Sequence, residues 1–298
     1  DTAEMYAVPP SVESYGKTEQ IVGTWLKRQP RDQVILATKA TGPGRSLSWI
    51  RGGPTGFDAA NLTAALEDSL RRLQTDYVDL YQLHWPARNQ PMFGQWQYEP
   101  DKERGGTDIR ETLEVLAGFV RSGKVRHVGV SNEHPWGVMR FTQLAEAYGL
   151  PRIVSTQNAY NLLNRTYDTG LAEVCHREQV SLLAYSPLGF GLLSGKYLEN
   201  PAAAGRVTQF AGFAQRYSKP NVEPAVRAYS ALAREHGLTP AALALAWCYR
   251  RWCVASTIVG ATTMAQLEEN LRAWGAELSP DVLAAIDAIH LRYTNPAP

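Results

Sequence analysis

The stretch D-Y-V-D-L-Y-Q-L-H-W-P, Asp76 to Pro86, decides how the rest of this chain is interpreted. Its apolar residues form a run that is too short for a helix, and Pro86 ends it, so the pattern predicts a buried β-strand. His84 then stands at the carboxyl end of that strand. In a barrel of parallel strands this end carries the catalytic residues. His84 is therefore the first candidate for a functional residue.

Three further residues with acid–base chemistry fall at corresponding places. Lys39 follows a second predicted strand, residues 34–38, and Asp1 and Tyr6 lie among the first residues of the chain. If the strands are parallel, their carboxyl ends meet at one edge of the sheet. We therefore expect Asp1, Tyr6, Lys39 and His84 to form one acid–base site built around the tyrosine.

The composition of the 298-residue chain is that of a soluble globular protein, with 44% hydrophobic and 20% charged residues. No apolar run approaches the ~18 residues of a membrane-spanning helix. Thirty basic residues against 29 acidic ones leave a charge of +1 without a basic run, which argues against a nucleic-acid partner. The three cysteines, Cys175, Cys248 and Cys253, lack metal-site spacing, so we expect no metal and interpret them as reduced thiols of a cytoplasmic protein.

Strands and helices alternate along the chain, as in parallel crossover units. The predicted strands are residues 34–38, 77–83, 125–130, 153–157, 180–185 and 254–259. The predicted helices are residues 17–27 with Thr18 as the cap, 58–73 with Asp58 as the cap, 108–121, 135–148, 169–178, 222–236 and 240–251. A Gly/Pro-rich loop is expected over residues 40–57, a long insertion over residues 87–107, and a loop of about thirty residues before residue 222.

Six strands are two fewer than a closed parallel barrel needs. A doubly wound sheet would begin with a Gly-rich phosphate loop, and no G-x-G-x-x-G opens a helix here. We therefore predict an α/β fold, a single (β/α)8 TIM barrel over residues 1–298 that lacks its first strand, first helix and most of its second strand. Such a barrel would expose unpaired strand edges, so we expect the chain as given to be poorly stable or inactive. The alternative is a six-stranded open sheet, complete as given.

Seven motifs spread over the whole chain resemble those of the aldo-keto reductases. They are D-T-A-E-M-Y, I-L-A-T-K, D-L-Y-Q-L-H-W-P, G-K-V-R-H-V-G-V-S-N, S-T-Q-N-A-Y-N, L-A-Y-S-P-L-G-F-G-L-L-S-G-K-Y and V-G-A-T-T-M-A-Q-L-E-E-N-L. The resemblance is closest to the Tas-like bacterial branch, relatives of the potassium-channel β subunits. It implies a barrel enzyme that reduces carbonyl groups with a nicotinamide cofactor.

The resemblance assigns catalytic roles to Asp1, Tyr6, Lys39 and His84. When a hydride attacks a carbonyl carbon, negative charge develops on the oxygen, and a donor there must release a proton. Tyr6 would be that acid. A phenol is a weak acid near neutral pH, so the ammonium of Lys39 is expected to favour its ionised form. Asp1 would hold Lys39 in place, and His84 would donate to or orient the substrate oxygen.

The resemblance also implies the cofactor contacts. The carboxamide would be bound by Ser131, Asn132 and Gln157, with Tyr185 near the nicotinamide. The pyrophosphate would be held by Ser186, Pro187, Leu188, Gly189, Gly191 and Lys196. The adenosine end would be held by Gly260, Ala261, Thr262, Gln266, Glu269 and Asn270. The resemblance to the family favours NADPH over NADH. Arg206, Arg216 or Lys219 could contact the 2′-phosphate of NADPH.

The substrate is expected to be a small aldehyde or ketone, because the aromatic residues Trp49 and Trp85 would give the pocket an apolar rim. Loop aromatics also serve simply as packing, and that interpretation stays open. We thus predict a cytoplasmic NADPH-dependent carbonyl reductase without a membrane partner. A homo-oligomer is compatible with this prediction. The alternative is a nicotinamide-binding regulatory subunit with little or no turnover. A metal-dependent barrel hydrolase would need several ligands at strand ends, where only His84 qualifies.

Overall fold

The computed structural model describes residues 1–45, 47–210, 212 and 215–298, so small parts of two predicted loops, 40–57 and the loop before residue 222, lie outside the described residues. The chain divides into two compact units. Unit 1 comprises Asp1–Gln90, Tyr98–Gln157 and Val174–Val180, and unit 2 comprises Pro91–Gln97, Asn158–Glu173 and Ser181–Pro298.

Helices and parallel strands alternate, as the sequence predicts. The strands are β1 (Ala37–Ala40), β2 (Val78–Leu83), β3 (Val125–Ser131), β4 (Ile153–Ala159), β5 (Ser181–Tyr185) and β6 (Val254–Thr257). The helices are α1 (Lys17–Leu26), α2 (Ala59–Leu73), α3 (Ile109–Arg121), α4 (Pro135–Tyr148), α5 (Leu171–Glu178), α6 (Lys196–Glu199), α7 (Arg206–Gln209), α8 (Val222–Glu235), α9 (Pro240–Tyr249), α10 (Met264–Arg272) and α11 (Pro280–Arg292).

The register within each unit aligns the carboxyl ends of neighbouring strands. In unit 1, β1 pairs with β2, β2 with β3, and β3 with β4, all in parallel. Lys39 is opposite Gln82, and Ser131 is opposite Gln157. In unit 2, β5 pairs in parallel with β6. The polar residues that end β1 to β4 therefore lie side by side.

The helix α2 shows how the sequence pattern becomes structure. Asp58 caps it by accepting a hydrogen bond from the Asn61 backbone N–H at 3.0 Å, as predicted. Its leucines at helical spacing, Leu62, Leu66, Leu70 and Leu73, are all buried. A capped helix with one apolar stripe can pack only with that stripe inward, so α2 covers the sheet of unit 1.

Residues at the start of the chain extend the sheet edge beside β1. The backbone N–H of Thr2 donates to the Ala37 carbonyl at 2.9 Å, and that of Glu4 donates to the Lys39 carbonyl at 3.2 Å. These alternate bonds follow the pattern of a parallel ladder. They hold Asp1 and Tyr6, which flank this segment, next to β1.

The strand predicted over residues 34–38 begins later than expected, so Lys39 lies inside β1 and not just after it. The reason is the Asp79 side chain, whose Oδ2 accepts the Leu36 backbone N–H at 2.9 Å and also pairs with Arg31. A side chain thus takes the place of a ladder partner at Leu36. Regular pairing starts one residue later, at Ala37.

Other boundaries also differ from the predictions. α1 begins at Lys17 after Gly16, whose φ is +71°, so Thr18 is not its cap. The loop before residue 222 contains the short helices α6 and α7, and neither α10 nor α11 was among the predicted helices. β4 extends two residues beyond the predicted 157, while β6 ends two residues before 259.

Cys175, Cys248 and Cys253 are all buried and free of disulfide bonds. Among the described residues, no helix is both long and apolar enough to cross a membrane. Within the same part of the chain, no group of three or more histidine, cysteine, aspartate or glutamate side chains is arranged to hold a metal ion.

Candidate active site

Lys39 is the centre of the polar cluster at the strand ends of unit 1. Its Nζ donates to Asp1 Oδ2 at 2.6 Å and to the Thr2 carbonyl at 2.8 Å. The Lys39 side chain is fully buried, and that of Asp1 is 17% exposed. Nζ also lies 4.8 Å from the centroid of the Tyr6 ring. A buried ammonium is thus held against both a carboxylate and a phenol ring.

His84 is a second neighbour of Tyr6, with the two ring centroids 5.4 Å apart and the rings nearly perpendicular. Burial, followed by the charges of Lys39 and Arg45, lowers the pKa of His84 well below its usual value. The imidazole is therefore neutral at pH 7. Its Nδ1 is buried without a hydrogen-bond partner among the described residues. A neutral ring donates a proton from one nitrogen only, so His84 can offer a hydrogen bond without carrying charge.

Two buried glutamines orient the carboxylate of Asp1. Nε2 of Gln82 and Nε2 of Gln157 each donate to Asp1 Oδ1 at 3.2 Å. Gln157 Nε2 also lies 3.3 Å from Gln82 Oε1. Gln82 was not among the predicted site residues. Its signal was a polar residue within a buried strand, two positions before His84 and so on the same face of β2.

Ser131 and Asn132 fix the end of β3. The Ser131 hydroxyl donates to the Gln157 carbonyl at 2.8 Å. The Asn132 amide donates to the His84 carbonyl at 2.9 Å, and its φ of +55° turns the chain sharply there. Gln157 Oε1 makes no hydrogen bond with the described residues. The structure thus brings Ser131, Asn132 and Gln157 together beside the Asp1–Lys39 pair.

The chemistry available at this cluster is proton transfer to a developing oxyanion. A phenol lies next to an ammonium and to a neutral imidazole, which are the groups that stabilise negative charge and supply a proton. The ammonium is in turn paired with an oriented carboxylate, so its position is fixed before any substrate arrives.

In unit 2, the predicted pyrophosphate segment folds into tight turns. Ser186, Gly189 and Gly191 all have positive φ, and the Ser186 carbonyl accepts a hydrogen bond from Asn161 Nδ2 at 2.8 Å. Lys196, at the start of α6, donates to the Ala204 carbonyl at 2.9 Å. The other predicted residues of this segment, Tyr185, Pro187 and Leu188, lie at the end of β5 and in the turn that follows it. Asn161 was not predicted, although its 0% exposure marks it as a polar core residue.

The predicted adenosine-end residues lie in the loop that follows β6 and in α10. Gln266 Oε1 accepts hydrogen bonds from the Thr262 backbone N–H at 2.9 Å and from its hydroxyl at 3.0 Å. Asn270 is buried and donates to the Gly260 carbonyl at 3.4 Å. These bonds shape the loop that contains Ala261. Glu269 instead accepts a hydrogen bond from the hydroxyl of Thr239.

Two cations lie together in unit 2. Arg216 is buried, and its guanidinium lies 5.7 Å from the centroid of the Phe93 ring. The pKa of Lys219 is lowered by burial and by the charge of Arg216. Lys219 donates to the Gly94 carbonyl, and neither cation pairs with an acidic side chain among the described residues. Arg206 lies apart from an acidic partner too, 5.1 Å from the Phe190 ring centroid.

Of the two aromatic residues predicted at the substrate rim, Trp85 is almost completely buried, with 1% exposure. Its Nε1 donates to the Pro43 carbonyl at 2.8 Å, and its ring centroid lies 5.1 Å from that of His84. Trp49 is half-buried, and its Nε1 has no hydrogen-bond partner among the described residues. Trp85 is therefore a packed wall beside His84 and not an exposed rim.

The chain belongs to the aldo/keto reductase family, whose family model matches residues 1–291. Six parallel strands in an α/β arrangement agree with the (β/α)8 barrel of that family. The protein is accordingly an oxidoreductase of a family that uses nicotinamide cofactors and acts on small carbonyl compounds.

Several known proteins are similar to this chain. Protein tas of Escherichia coli (strain K12) is 50% identical over 300 residues, covering 100% of this chain and 86% of that protein. L-glyceraldehyde 3-phosphate reductase of Escherichia coli O157:H7 is 31% identical over 296 residues, covering 96% of this chain and 78% of that protein. NADH-specific methylglyoxal reductase of Escherichia coli (strain K12) is 28% identical over 277 residues, covering 89% of this chain and 77% of that protein.

Proposed function

We propose that this protein is an NADPH-dependent carbonyl reductase in which Tyr6 is the general acid. The observation that carries the proposal is the cluster of Asp1, Tyr6, Lys39 and His84. The Lys39 ammonium lies 2.6 Å from Asp1 Oδ2 and 4.8 Å from the Tyr6 ring centroid, and the His84 ring is the next neighbour of Tyr6. Four side chains of these types are what protonation of a carbonyl oxygen requires.

Each of the four side chains has a distinct role in this proposal. Tyr6 donates its phenolic proton to the carbonyl oxygen as negative charge develops there. Lys39 stabilises the phenolate that results, and Asp1 keeps the ammonium in position. His84, neutral at pH 7, donates a hydrogen bond to the same oxygen and sets the direction of attack.

Ser131, Asn132 and Gln157 suit the carboxamide of a nicotinamide, which has both donors and an acceptor. Gln157 Oε1 is available to accept, because it makes no hydrogen bond with the described residues. Gln157 Nε2 already donates to Asp1 and Gln82, the Ser131 hydroxyl to the Gln157 carbonyl, and the Asn132 amide to the His84 carbonyl and Ser131 Oγ. One of these hydrogen bonds would therefore be exchanged for a bond to the carboxamide oxygen when the nicotinamide binds. A bound nicotinamide provides the hydride for the carbonyl carbon.

The family motifs assign the remaining cofactor contacts to unit 2. We propose residues 185–196 for the nicotinamide and pyrophosphate and residues 260–270 for the adenosine. The preference for NADPH over NADH is supported by Arg216 and Lys219, two neighbouring cations without acidic partners, since a 2′-phosphate would relieve their repulsion. One similar protein, the methylglyoxal reductase, is NADH-specific by name, so the preference has to be measured for this chain.

The substrate in this proposal is a small aldehyde or ketone with an apolar body, because Trp85 forms an apolar wall next to His84. We also propose a cytoplasmic location and a single barrel domain over residues 1–298. The single family match over residues 1–291 supports the domain proposal. A homo-oligomer of such single-domain chains is compatible with the proposed function.

The Tyr6→Phe variant tests the function directly. We expect a loss of ~10²- to 10⁴-fold in kcat/KM for a simple aldehyde such as 4-nitrobenzaldehyde, because the variant lacks the proton that the acid transfers. Steady-state oxidation of NADPH, followed by its absorbance, measures the rate. An unchanged rate would contradict the role of Tyr6.

The control is cofactor binding, measured by quenching of tryptophan fluorescence. Removing one hydroxyl from Tyr6 should leave the affinity for NADPH unchanged, because the phenol is not among the proposed cofactor contacts. Wild-type protein that binds NADPH tightly but reduces no member of an aldehyde panel would instead support the regulatory-subunit alternative.

A further inference from the structure

Unit 1 contains a cavity of about 210 Å³ that is separate from the Asp1–Lys39 cluster. It lies beyond the carboxyl ends of β2 and β3, beside the amino-terminal halves of α3 and α4. Asp1, Tyr6, Lys39 and His84 are not among its lining residues. Trp85, whose ring neighbours His84, forms one of its walls. Ser131, which belongs to the candidate active site, also lines the cavity, so the two sites share the wall that Trp85 and Ser131 form.

The floor of the cavity is apolar and rigid. It is formed by Phe57, Leu83, Trp85, Val130 and Phe141, all of which are buried. Two of them are the last apolar residues of β2 and β3, and Phe141 belongs to α4. A floor built from strands and a helix is pre-formed, so a ligand would gain apolar contacts without ordering the chain first.

The rim of the cavity is cationic. Arg140 is exposed on α4, and its guanidinium makes no hydrogen bond or ion pair with the described residues. Arg104 donates only to backbone carbonyls, those of Ala87 at 3.0 Å and Arg88 at 3.3 Å. Neither guanidinium is neutralised by a carboxylate among the described residues. Both line a pocket with an apolar floor.

The acidic residues of the lining are already engaged. Glu133 is buried and forms a bidentate ion pair with Arg88, whose guanidinium in turn lies 4.8 Å from the ring centroid of Trp136. Asp108 caps α3 by accepting the Arg110 backbone N–H at 2.8 Å. The lining contains three arginines and two acidic residues, so its net charge is +1. The guanidinium groups without a carboxylate partner are those of Arg104 and Arg140.

We propose that this cavity is a second ligand site, specific for small organic carboxylates with an apolar ring or chain. The apolar body would lie on the floor beside Trp85 and Phe141, and the carboxylate would bind the guanidinium of Arg140, with Arg104 as its neighbour. Guanidinium groups match carboxylates in geometry and form charge-assisted hydrogen bonds. A volume of about 210 Å³ accommodates one aromatic ring with a short side chain.

The probe for this site is phenylacetate, and the reporters are the indole N–H resonances of the ¹⁵N-labelled full chain. The chain has eight tryptophans, and the variants Trp136→Phe and Trp85→Phe identify the two resonances of the cavity. We expect phenylacetate to shift the Trp136 resonance with a Kd of about 1 mM, as is usual for a ligand of this size. Phenylacetamide, which has the same shape without the charge, should bind about tenfold more weakly.

Two arginine variants test the role of the rim. Arg140→Gln should weaken phenylacetate binding about tenfold, because it removes a charged donor from the ligand. Arg121→Gln is the matched control, since Arg121 is also exposed and without an ion pair among the described residues, but lies at the far end of α3. Its affinity should equal that of the wild type.

Four results would overturn the proposal. They are no shift of the Trp136 resonance, equal binding of phenylacetamide and phenylacetate, equal weakening by both arginine variants, and binding of inorganic phosphate as tight as that of phenylacetate. The last result would mean a site for any small anion, without a role for the apolar floor. The test uses no activity measurement, so its outcome is independent of the proposed reductase function.

Discussion

At the scale of single residues, His84 shows how burial controls charge. In water a histidine is half protonated near pH 6.5, but in this protein burial and two neighbouring cations lower its pKa far below that value. The folded protein therefore keeps His84 neutral where the unfolded chain would bind a proton. This difference links the protonation of one ring to the stability of the fold.

The consequence is a pH dependence of unfolding. Above about pH 6.5 the ring is neutral in both states and its contribution to stability is complete; as the pH falls below that value, the unfolded state gains a proton and the contribution is lost. We expect the free energy of unfolding of the wild type to fall more steeply between pH 6.5 and 5 than that of His84→Gln, by up to ~1.4 kcal/mol per pH unit.

Urea unfolding at pH 5, 6, 7 and 8 measures both slopes. Glutamine keeps the polar, uncharged character of the site, so the charges of Lys39 and the other histidines act equally in both proteins. Identical slopes would show that His84 is protonated as readily in the folded protein as in the unfolded chain.

Residue identity was easier to predict than residue partners. Motifs placed Asp1, Tyr6, Lys39 and His84 in one cluster, and the structure brings them together. Gln82 was missed, because its importance depends on the register that sets it opposite Lys39 in the neighbouring strand. Register describes how two strands pair, so it cannot be predicted from the sequence of either strand alone.

At the scale of elements, the buried ion pair of Glu19 and Arg72 connects β1 to the helices α1 and α2. Glu19 of α1 accepts a hydrogen bond from the Thr38 hydroxyl at 2.5 Å and another from Arg72 Nε of α2 at 2.7 Å. Glu19 is completely buried. Since Thr38 precedes Lys39, this arrangement ties the strand that carries the ammonium to two helices.

We expect Arg72→Met to destabilise the protein by about 3–5 kcal/mol, because it leaves the carboxylate of Glu19 buried without a counter-charge. Arg71→Met is the matched control: Arg71 is the adjacent residue, but its side chain is 73% exposed and its pair with Asp68 is a surface one. Its loss should cost less than about 1 kcal/mol.

Chemical denaturation of the two variants and the wild type gives the comparison. Equal stabilities for Arg71→Met and Arg72→Met would contradict the importance of the buried pair. The double variant Glu19→Gln/Arg72→Met should regain part of the lost stability, because it removes the uncompensated charge.

Helix starts illustrate the limit of local sequence signals. Asp58 and Asp108 are recognisable caps, and both accept backbone hydrogen bonds as their residue type predicts. α1 instead follows Gly16 in a left-handed conformation, where an added Cβ would lie 2.6 Å from Arg72 Cδ. That constraint comes from a residue 56 positions away in the sequence, so no local pattern could reveal it.

At the scale of the whole molecule, cofactor choice is measurable as stability. A ligand that binds only the folded state raises its stability by ~2.7 kcal/mol when present at 100 times its Kd, which corresponds to several degrees in Tm. At equal concentrations we expect NADPH to raise Tm more than NADH does, because its 2′-phosphate would neutralise Arg216 and Lys219.

Thermal unfolding followed by circular dichroism measures these shifts. Lys219→Met should reduce the NADPH shift to that of NADH and leave the NADH shift unchanged. Arg227→Gln, which removes an exposed cation of α8, should alter neither. A larger shift with NADH in the wild type would reverse the proposed preference.

The buried state of the three cysteines has a practical consequence for spectroscopy. Burial raises the pKa of Cys253 and that of Cys248, the latter to about 12, so little thiolate forms at neutral pH. We expect a maleimide dye at pH 7 to leave the native chain essentially unlabelled and to modify all three thiols in urea, as intact mass would report. A cysteine placed at an exposed site such as Arg121 could then take a fluorophore or spin label selectively, without removal of the natural thiols.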